Sequence, residues 1–288
     1  MTSDVSAVIV SYNVRDLLLR CIASLRADGI TDIVVVDNAS RDGSAQAVAD
    51  HEPDVTLLSL DTNVGFGAGA NRGVARTDSP YVVIVNPDVV VEPGSTKVLV
   101  DALERDRGLG IVGPRIDTPD GELYPSARAF PNLLDAAGHA FLHFLWPNNR
   151  FSRRYRMLDW DRASARDVDW VAGTHLLVRR EAWDAIGGFD EAYFMYMEDV
   201  DLCWRMRRAG WRTGYEPAAR ITHDIGRSTD QTPYRMILAH HRSMLTFAWR
   251  SGGRLQRLLV PLMALALAVR TVLAWIQRAA RGRPHAAP

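Results

Sequence analysis

The chain has 288 residues, 47% of them apolar, enough for one large domain or two small ones with a substantial core. Its formal net charge is zero, so nothing global favours nucleic acid or another polyanion as a partner. Two cysteines, Cys21 and Cys203, each in an apolar pattern, give no basis for a disulfide framework or a cysteine metal cluster and read as buried thiols.

The N-terminus has no basic region followed by a signal-peptide core, so a cytoplasmic location is expected. SAVIVSYN (6–13) is apolar and β-branched, as a buried strand requires, and RDLLLRCIASLRAD (15–28) has leucines at helical spacing, with Gly29 as its stop. DIVVVDNAS (32–40) predicts a second strand, RDGSAQAVADH (41–51) a helix, and VTLLSLD (55–61) a third strand. A glycine-rich turn and a helix over 67–76 follow. YVVIVNPDVVVEPG (81–94) is the most apolar strand, interrupted by Asn86-Pro87-Asp88, and a helix over 94–106 and a strand over 110–116 come next. Strands alternating with helices imply a largely parallel, doubly wound α/β sheet.

Beyond residue 116 the pattern changes. Residues 124–168 read as a loop-rich excursion with aromatics, prolines and arginines of no clear period. DVDWVAGTHLLVRREAW (167–183) gives strand and helix start, GGFDEAYFMYMEDVDLCWRMRRAG (187–210) a loop running into an amphipathic helix, and WRTGYEPAARITHD (211–224) strand again. The apolar stretch 258–276 contains Pro261 and Arg270 and barely reaches the roughly twenty residues of a spanning helix. Arg250, Arg254, Arg257, Arg278, Arg281 and Arg283 flank it, which suits an anionic membrane surface. Packing on the domain, or on a second subunit in a homodimer, is the alternative.

The loop NVGFGAGANRGV fits the dinucleotide fingerprint through Gly65, Gly67 and Ala70, with Asp88 about twenty residues on, which would make a nicotinamide-dependent oxidoreductase. That fingerprint belongs on the first strand–helix turn, however. Here it follows the third strand, and the first turn, SYNVRD, has no glycine. Ligands of open α/β sheets bind beyond the carboxyl ends of strands, and three ends are polar: Ser11-Tyr12-Asn13, Asp37-Asn38 and Asn86-Pro87-Asp88. Asp37, ahead of Ser40, also reads as a helix cap. Asp88 interrupts an apolar strand and needs a partner there; a divalent cation with a diphosphate would serve, and a simple turn at Pro87 is the alternative. Glu198, Asp199 and Asp201 sit at a helix start, where the macrodipole favours anions, behind the apolar AYFMYM, which would raise a carboxylate toward a useful general base. His223 closes a strand and is either structural or a metal ligand.

VIVSYN, VVVDNASRDGS, NVGFGAGANRGV, VVIVNPDVVV, GTHLLVRREAWDAIGGFDEAYFMYMEDVDLCWRMRRAGW and H-x-x-x-x-S at 223–228 together resemble the inverting family-two glycosyltransferases of GT-A fold over roughly residues 5–230. Within these, the chain is most similar to bacterial rhamnosyltransferases of cell-wall linker synthesis. The resemblance implies a GT-A domain over 1–240, with a nucleotide-sugar half (1–116) and an acceptor and catalytic half (117–240), then a helical segment over 241–288. It implies a doubly wound mixed sheet with helices on both faces. The implied reaction moves a single L-rhamnose from dTDP-L-rhamnose to polyprenyl-diphosphate N-acetylglucosamine, with another UDP- or dTDP-sugar as the alternative donor. No Q-x-x-R-W follows the acidic pair, which fits single-sugar transfer.

By the same resemblance, Ser11, Asn13, Asp37 and Asn71 would meet the nucleotide sugar, and Asn86 and Asp88 its diphosphate. Asp88 and His223 would hold a divalent metal, Mg²⁺ or Mn²⁺. Asn86 replaces the first aspartate of the family's D-x-D, leaving one carboxylate for the ion. Glu198-Asp199 matches the acidic pair that supplies the base, with Asp199 favoured. Trp170, Gly173 and Arg128 would face the acceptor. The excess positive charge of 124–168, with Arg128, Arg153, Arg154 and Arg156, could meet its diphosphate, and solvated loop arginines are the alternative. The implied location is the inner face of the cell membrane. A sugar-nucleotide-binding protein without turnover is the remaining reading, and the intact acidic pair argues against it.

Overall fold

A computed structural model describes residues 4–130, 146, 149, 153, 160, 162–224 and 233–280; Arg154, Arg156, Ser228, Arg281 and Arg283 lie outside them. The first part of the chain contains β1 (Val5–Ser11), α1 (Arg15–Ala27), β2 (Asp32–Asp37), α2 (Ser44–His51), β3 (Thr56–Ser59), α3 (Phe66–Val74), β4 (Tyr81–Val85), β5 (Val89–Val91), α4 (Ser95–Arg105) and β6 (Leu109–Asp117). There follow β7 (Leu123–Tyr124), β8 (Ala127–Arg128), β9 (Arg166–Val168), β10 (Trp170–Val171), β11 (His175–Arg179), α5 (Arg180–Ile186), α6 (Glu198–Arg208) and β12 (Arg212–His223). The chain continues in α7 (Pro233–Ser251), α8 (Arg254–Arg257) and α9 (Val260–Ala280), so the expected boundary at 240 falls inside α7.

β1 and β4 are buried at every residue and β2 at every residue but Asp32, as strands covered on both faces must be. α1 covers part of this core with Leu18, Cys21, Ile22 and Leu25, all at 0% exposure and spaced along one helical face. Gly29, at φ +90°, turns the chain out of that helix as expected. Cys203 in α6 is buried like Cys21, and burial raises both thiols, Cys203 to about 12.

Among the described residues the main sheet has ten strands, in the order β3-β2-β1-β4-β11-β6-β12-β5, with β7 on β6 and β9 on β12. β3, β2, β1 and β4 are parallel, but β11 runs antiparallel between β4 and β6. β12 is parallel to β6 and antiparallel to β5. The sheet is therefore mixed, as the resemblance implies, and less parallel than the alternation of elements alone suggests. A buried apolar run reads the same in either direction, so β11 carries no local mark of its reversal.

The apolar run 81–94 is two strands in different places: β4 lies in the centre of the sheet and β5 at its edge on β12. Asn86-Pro87-Asp88 makes the crossing, where a proline without an N–H costs no ladder bond. The crossing sets Asp88 at the end of β12, where His223 is in register with Val89.

α3 explains the glycine-rich loop. A Cβ at Gly69 would press on Val10, and one at Gly73 on Val8 and Val36, so these glycines let the helix lie close on β1 and β2. Towards the end of the chain, α9 packs on α7 through Tyr234 and Trp275 (ring centroids 5.9 Å) and His241 with Thr271 (2.7 Å). Among the described residues no helix is long and apolar enough to cross a membrane.

Candidate active site

The parallel neighbours β2, β1 and β4 end on one side of the sheet, which gathers the three polar ends read from the sequence. Ser11 and Asp37 are register partners there, both buried. Asp37 Oδ2 accepts the Ser40 N–H at 3.0 Å, which closes a turn and not the expected helix cap, since the next helix starts at Ser44 behind Gly43, and Asp37 Oδ1 and the Ser11 hydroxyl have no protein partner. Buried polar atoms without a partner are uncommon, and two side by side at strand ends suit a ligand. Asn13, at φ +53°, accepts the Arg41 N–H at 2.7 Å, which stitches the first turn to the second.

The fingerprint glycines are filled by protein. A Cβ at Gly65 would run into the Phe194 carbonyl, and one at Gly67 into the Phe189 side chain. The Asn38 amide closes the turn, donating to the Gly65 carbonyl at 3.1 Å and accepting the Val64 N–H at 3.2 Å. Position after the third strand and this packing together overturn the pyrophosphate-cradle reading, and the oxidoreductase with it. Asn71 donates to the Phe189 carbonyl (2.9 Å) and to Glu191 (3.1 Å), and accepts the Phe189 N–H (2.9 Å). Its amide is spent clasping loop 187–197.

Asp88 and His223 come together, with Nε2 of the histidine 3.1 Å from Oδ1 of the aspartate, both largely buried. His223 Nδ1 has no partner. One carboxylate and one imidazole fit a divalent ion that takes its other ligands from a diphosphate and water. Among the described residues no third His, Cys, Asp or Glu joins them.

Asp199 is half-buried at the start of α6. Its Oδ2 accepts the Gly173 N–H at 2.9 Å and its Oδ1 accepts the Val200 N–H at 2.8 Å. Glu198 is 7% exposed, and its buried Oε2 has no partner. Burial first, and then the Asp199 charge, push Glu198 up to about 8; burial also raises Asp199, against backbone N–H groups and Arg128 that favour its charged form. Two adjacent carboxyls in one buried site share their protons, and the backbone hydrogen bonds to Asp199 favour its charged form.

The third acidic residue is structural: Asp201 accepts the Tyr193 hydroxyl at 3.2 Å and pairs with Arg205 at 2.6 Å. Trp170 is 5% exposed, and its indole N–H donates to the Ala129 carbonyl, so the ring supports Arg128, stacked over it at 5.2 Å. Arg153 is exposed.

Sequence reasoning missed the bridge between the two acidic centres. Gly173 donates to Asp199, and the next residue, Thr174, accepts the Asn86 N–H at 2.9 Å. The turn into β11 thus touches both the Glu198-Asp199 pair and the Asn86-Pro87-Asp88 crossing. Reversal of β11 creates this contact, and GTH carries no local sign of it.

Residues 6–167 match the glycosyl transferase family 2. The chain is 40% identical over 260 residues to an N-acetylglucosaminyl-diphospho-decaprenol L-rhamnosyltransferase of Mycobacterium tuberculosis, covering 86% of this chain and 84% of that one. It is 27% identical over 224 residues to the rhamnosyltransferase WbbL of Escherichia coli, covering 75% and 81%. Its fold is similar to that of the mannosyltransferase PcManGT from Pyrobaculum calidifontis, solved with GDP-Man and Mn²⁺, at a TM-score of 0.61 and 16% identity over 98% of this chain and 76% of that one. A family match over more than half the chain, with high identity to a relative along nearly its whole length, completes what the mixed sheet and the acidic pair began: the chain belongs to glycosyl transferase family 2 and is a glycosyltransferase.

Proposed function

We propose that this enzyme inverts configuration as it moves one L-rhamnose from dTDP-L-rhamnose to a polyprenyl-diphosphate-linked N-acetylglucosamine, in cell-wall or surface polysaccharide synthesis. The 40% identity to the M. tuberculosis rhamnosyltransferase across 86% of this chain carries the reading. The nucleoside would lie against Ser11 and Asp37, whose free buried oxygens can accept its N–H and O–H groups. Asp199 takes the proton of the acceptor hydroxyl. The freed oxygen attacks the anomeric carbon from the face opposite the diphosphate, one bond forms as the other breaks, and the dTDP leaves. Glu198, held protonated beside it, spares the site a second buried charge. Arg128, whose charge acts on Asp199, would serve as a cation for the acceptor diphosphate. Asp88 and His223 would hold a divalent ion, Mg²⁺ or Mn²⁺, which when bound neutralises charge on the departing diphosphate.

We also place the tail on the inner membrane surface. Leu255, Leu258, Leu262 and Leu265 are each at least 64% exposed beside Arg254 and Arg257, a face that suits anionic lipid. Arg250 is not part of that face, because it pairs with Asp190.

The test is a donor screen: full chain, divalent ion, polyprenyl-diphosphate N-acetylglucosamine and a panel of nucleotide sugars. Release of dTDP with rhamnosyl product supports the reading; turnover confined to a UDP-sugar overturns it. Sedimentation with phosphatidylglycerol vesicles tests the surface. The full chain should pellet and a chain ending at Gly252 should not, and equal pelleting sinks the placement.

A further inference from the structure

The loop that delivers Glu198 and Asp199 is held from outside. Tyr196 and Met197 both sit at φ +67°, a left-handed conformation that bulky residues keep only where their surroundings fix it. One side of the loop rests on the glycine-rich turn and α3, where the Phe66 N–H donates to the Phe194 carbonyl at 3.1 Å and Asn71 brackets Phe189. The other side rests on α7. The Ser243 hydroxyl, 4% exposed, donates to the Met195 carbonyl at 2.9 Å, and the His240 ring meets Tyr196 at 5.0 Å between centroids. Arg250 pairs with Asp190 and lies 5.8 Å over the ring of Tyr193. Tyr193 is fully buried and bonds Asp201, so this contact reaches the helix that begins at Glu198.

We infer that α7 is a working part of the active site, with Ser243 and Arg250 as positioning residues that fix where Asp199 meets the acceptor hydroxyl. The inference deepens the proposed function and rests on Asp199 being its base. Neither residue needs to touch a substrate. A general base works only within hydrogen-bond reach of its proton, and a misplacement of about 1 Å can cost about 10²-fold in rate. Losing either contact lowers kcat and spares the nucleotide crevice, which β1, β2 and β4 build without α7. A looser loop also admits water to the acidic pair, so the base ionises at lower pH. Among the described residues, the titratable groups that act on the pair are Arg128 from β8, Tyr193 from the loop and Cys203 in α6. None of these lies on α7, so a pH shift on changing Ser243 reports geometry and hydration.

The experiment is steady-state transfer by the full chain from dTDP-L-rhamnose to the lipid-linked acceptor, with dTDP binding measured by calorimetry. Ser243→Ala and Arg250→Gln should each lower kcat by about 10-fold or more, keep dTDP affinity and donor KM within about twofold, and move the acidic limb of the kcat profile to lower pH. Near-normal kcat in both variants overturns the inference, as does a loss confined to donor KM or dTDP binding. If Ser243→Ala binds no dTDP because it misfolds, the result for Arg250→Gln decides. Asp199→Asn separates the inference from the reading beneath it. An active Asp199→Asn removes the base assignment, whereas an inactive one beside normal Ser243 and Arg250 variants removes only the role of α7.

Discussion

Ser11 and Asp37 stand at the ends of strands buried along nearly their whole length, whereas Glu198 and Asp199 stand at the end of a loop with two left-handed residues. The first pair is placed by sheet register, a property of neighbouring backbone. The second is placed by contacts from α3, the turn into β11 and α7, with Ser243 on Met195 48 residues along the chain and Asn71 on Glu191 120 residues back. A register built from wholly buried strands is hard to perturb by one surface change. A loop fixed by separate contacts can be displaced through any of them. Nucleotide binding and sugar transfer should therefore be separable by mutation, and four changes test how cleanly.

The largest effect is expected from Asp199→Asn. Transfer should fall about 10²–10⁴-fold while dTDP binds normally, because a lost general base removes that much and the crevice does not contain it. A matching loss of dTDP affinity, read by calorimetry, would break the separation. Gly65→Ala comes next and is the sharper probe, since the residue lies in the glycine-rich turn ahead of α3 but packs against the Phe194 carbonyl at φ +91°. The added methyl and the positive φ should destabilise the protein by roughly 1–3 kcal/mol in denaturant titration. Activity should fall more than dTDP affinity does; the reverse order would assign Gly65 to the nucleotide after all.

Asp37→Ala should do the opposite, weakening dTDP about 10-fold, the worth of one buried hydrogen bond to a ligand, with kcat at saturating donor little changed. The smallest effect is on stability against pH. Glu198 is raised in the fold, so its contribution is fully present below its ordinary value of 4.5 and is lost as pH climbs through about 8. Buried His175, lowered to about 4, works the other way and loses its contribution as pH falls from 6.5. Between about pH 6.5 and 8 the glutamate acts without that opposition, and Glu198→Gln should gain on the order of 1–2 kcal/mol relative to the parent. Melting curves at the two pH values check this, and parallel behaviour would mean that Glu198 is ionised throughout.

The same contrast explains what could be read in advance. β1, β2, β4 and α1 announce themselves by period and composition, and Asn86-Pro87-Asp88 marks the break between β4 and β5 because a proline and a charge do not belong in a central strand. The pairing of Asp88 with His223 joins positions 135 apart, so only resemblance suggested it. Tyr196 and Met197 carry no left-handed signal, as a glycine or asparagine would. The pattern of α7 says that one face is buried but not against what, so Arg250 read as a lipid-facing charge when its partner is Asp190.

The two cysteines have a practical consequence. Cys21 and Cys203 are both at 0% exposure, and burial holds each thiol far from the thiolate that reacts with alkylating reagents. They are the chain's whole complement. A cysteine introduced at an exposed site, such as Ala192→Cys on the loop ahead of the acidic pair, would then be the one thiol open to a maleimide. A spin label or fluorophore could be attached there without first stripping the protein of its own sulfur, and loop motion could be followed in the folded native background.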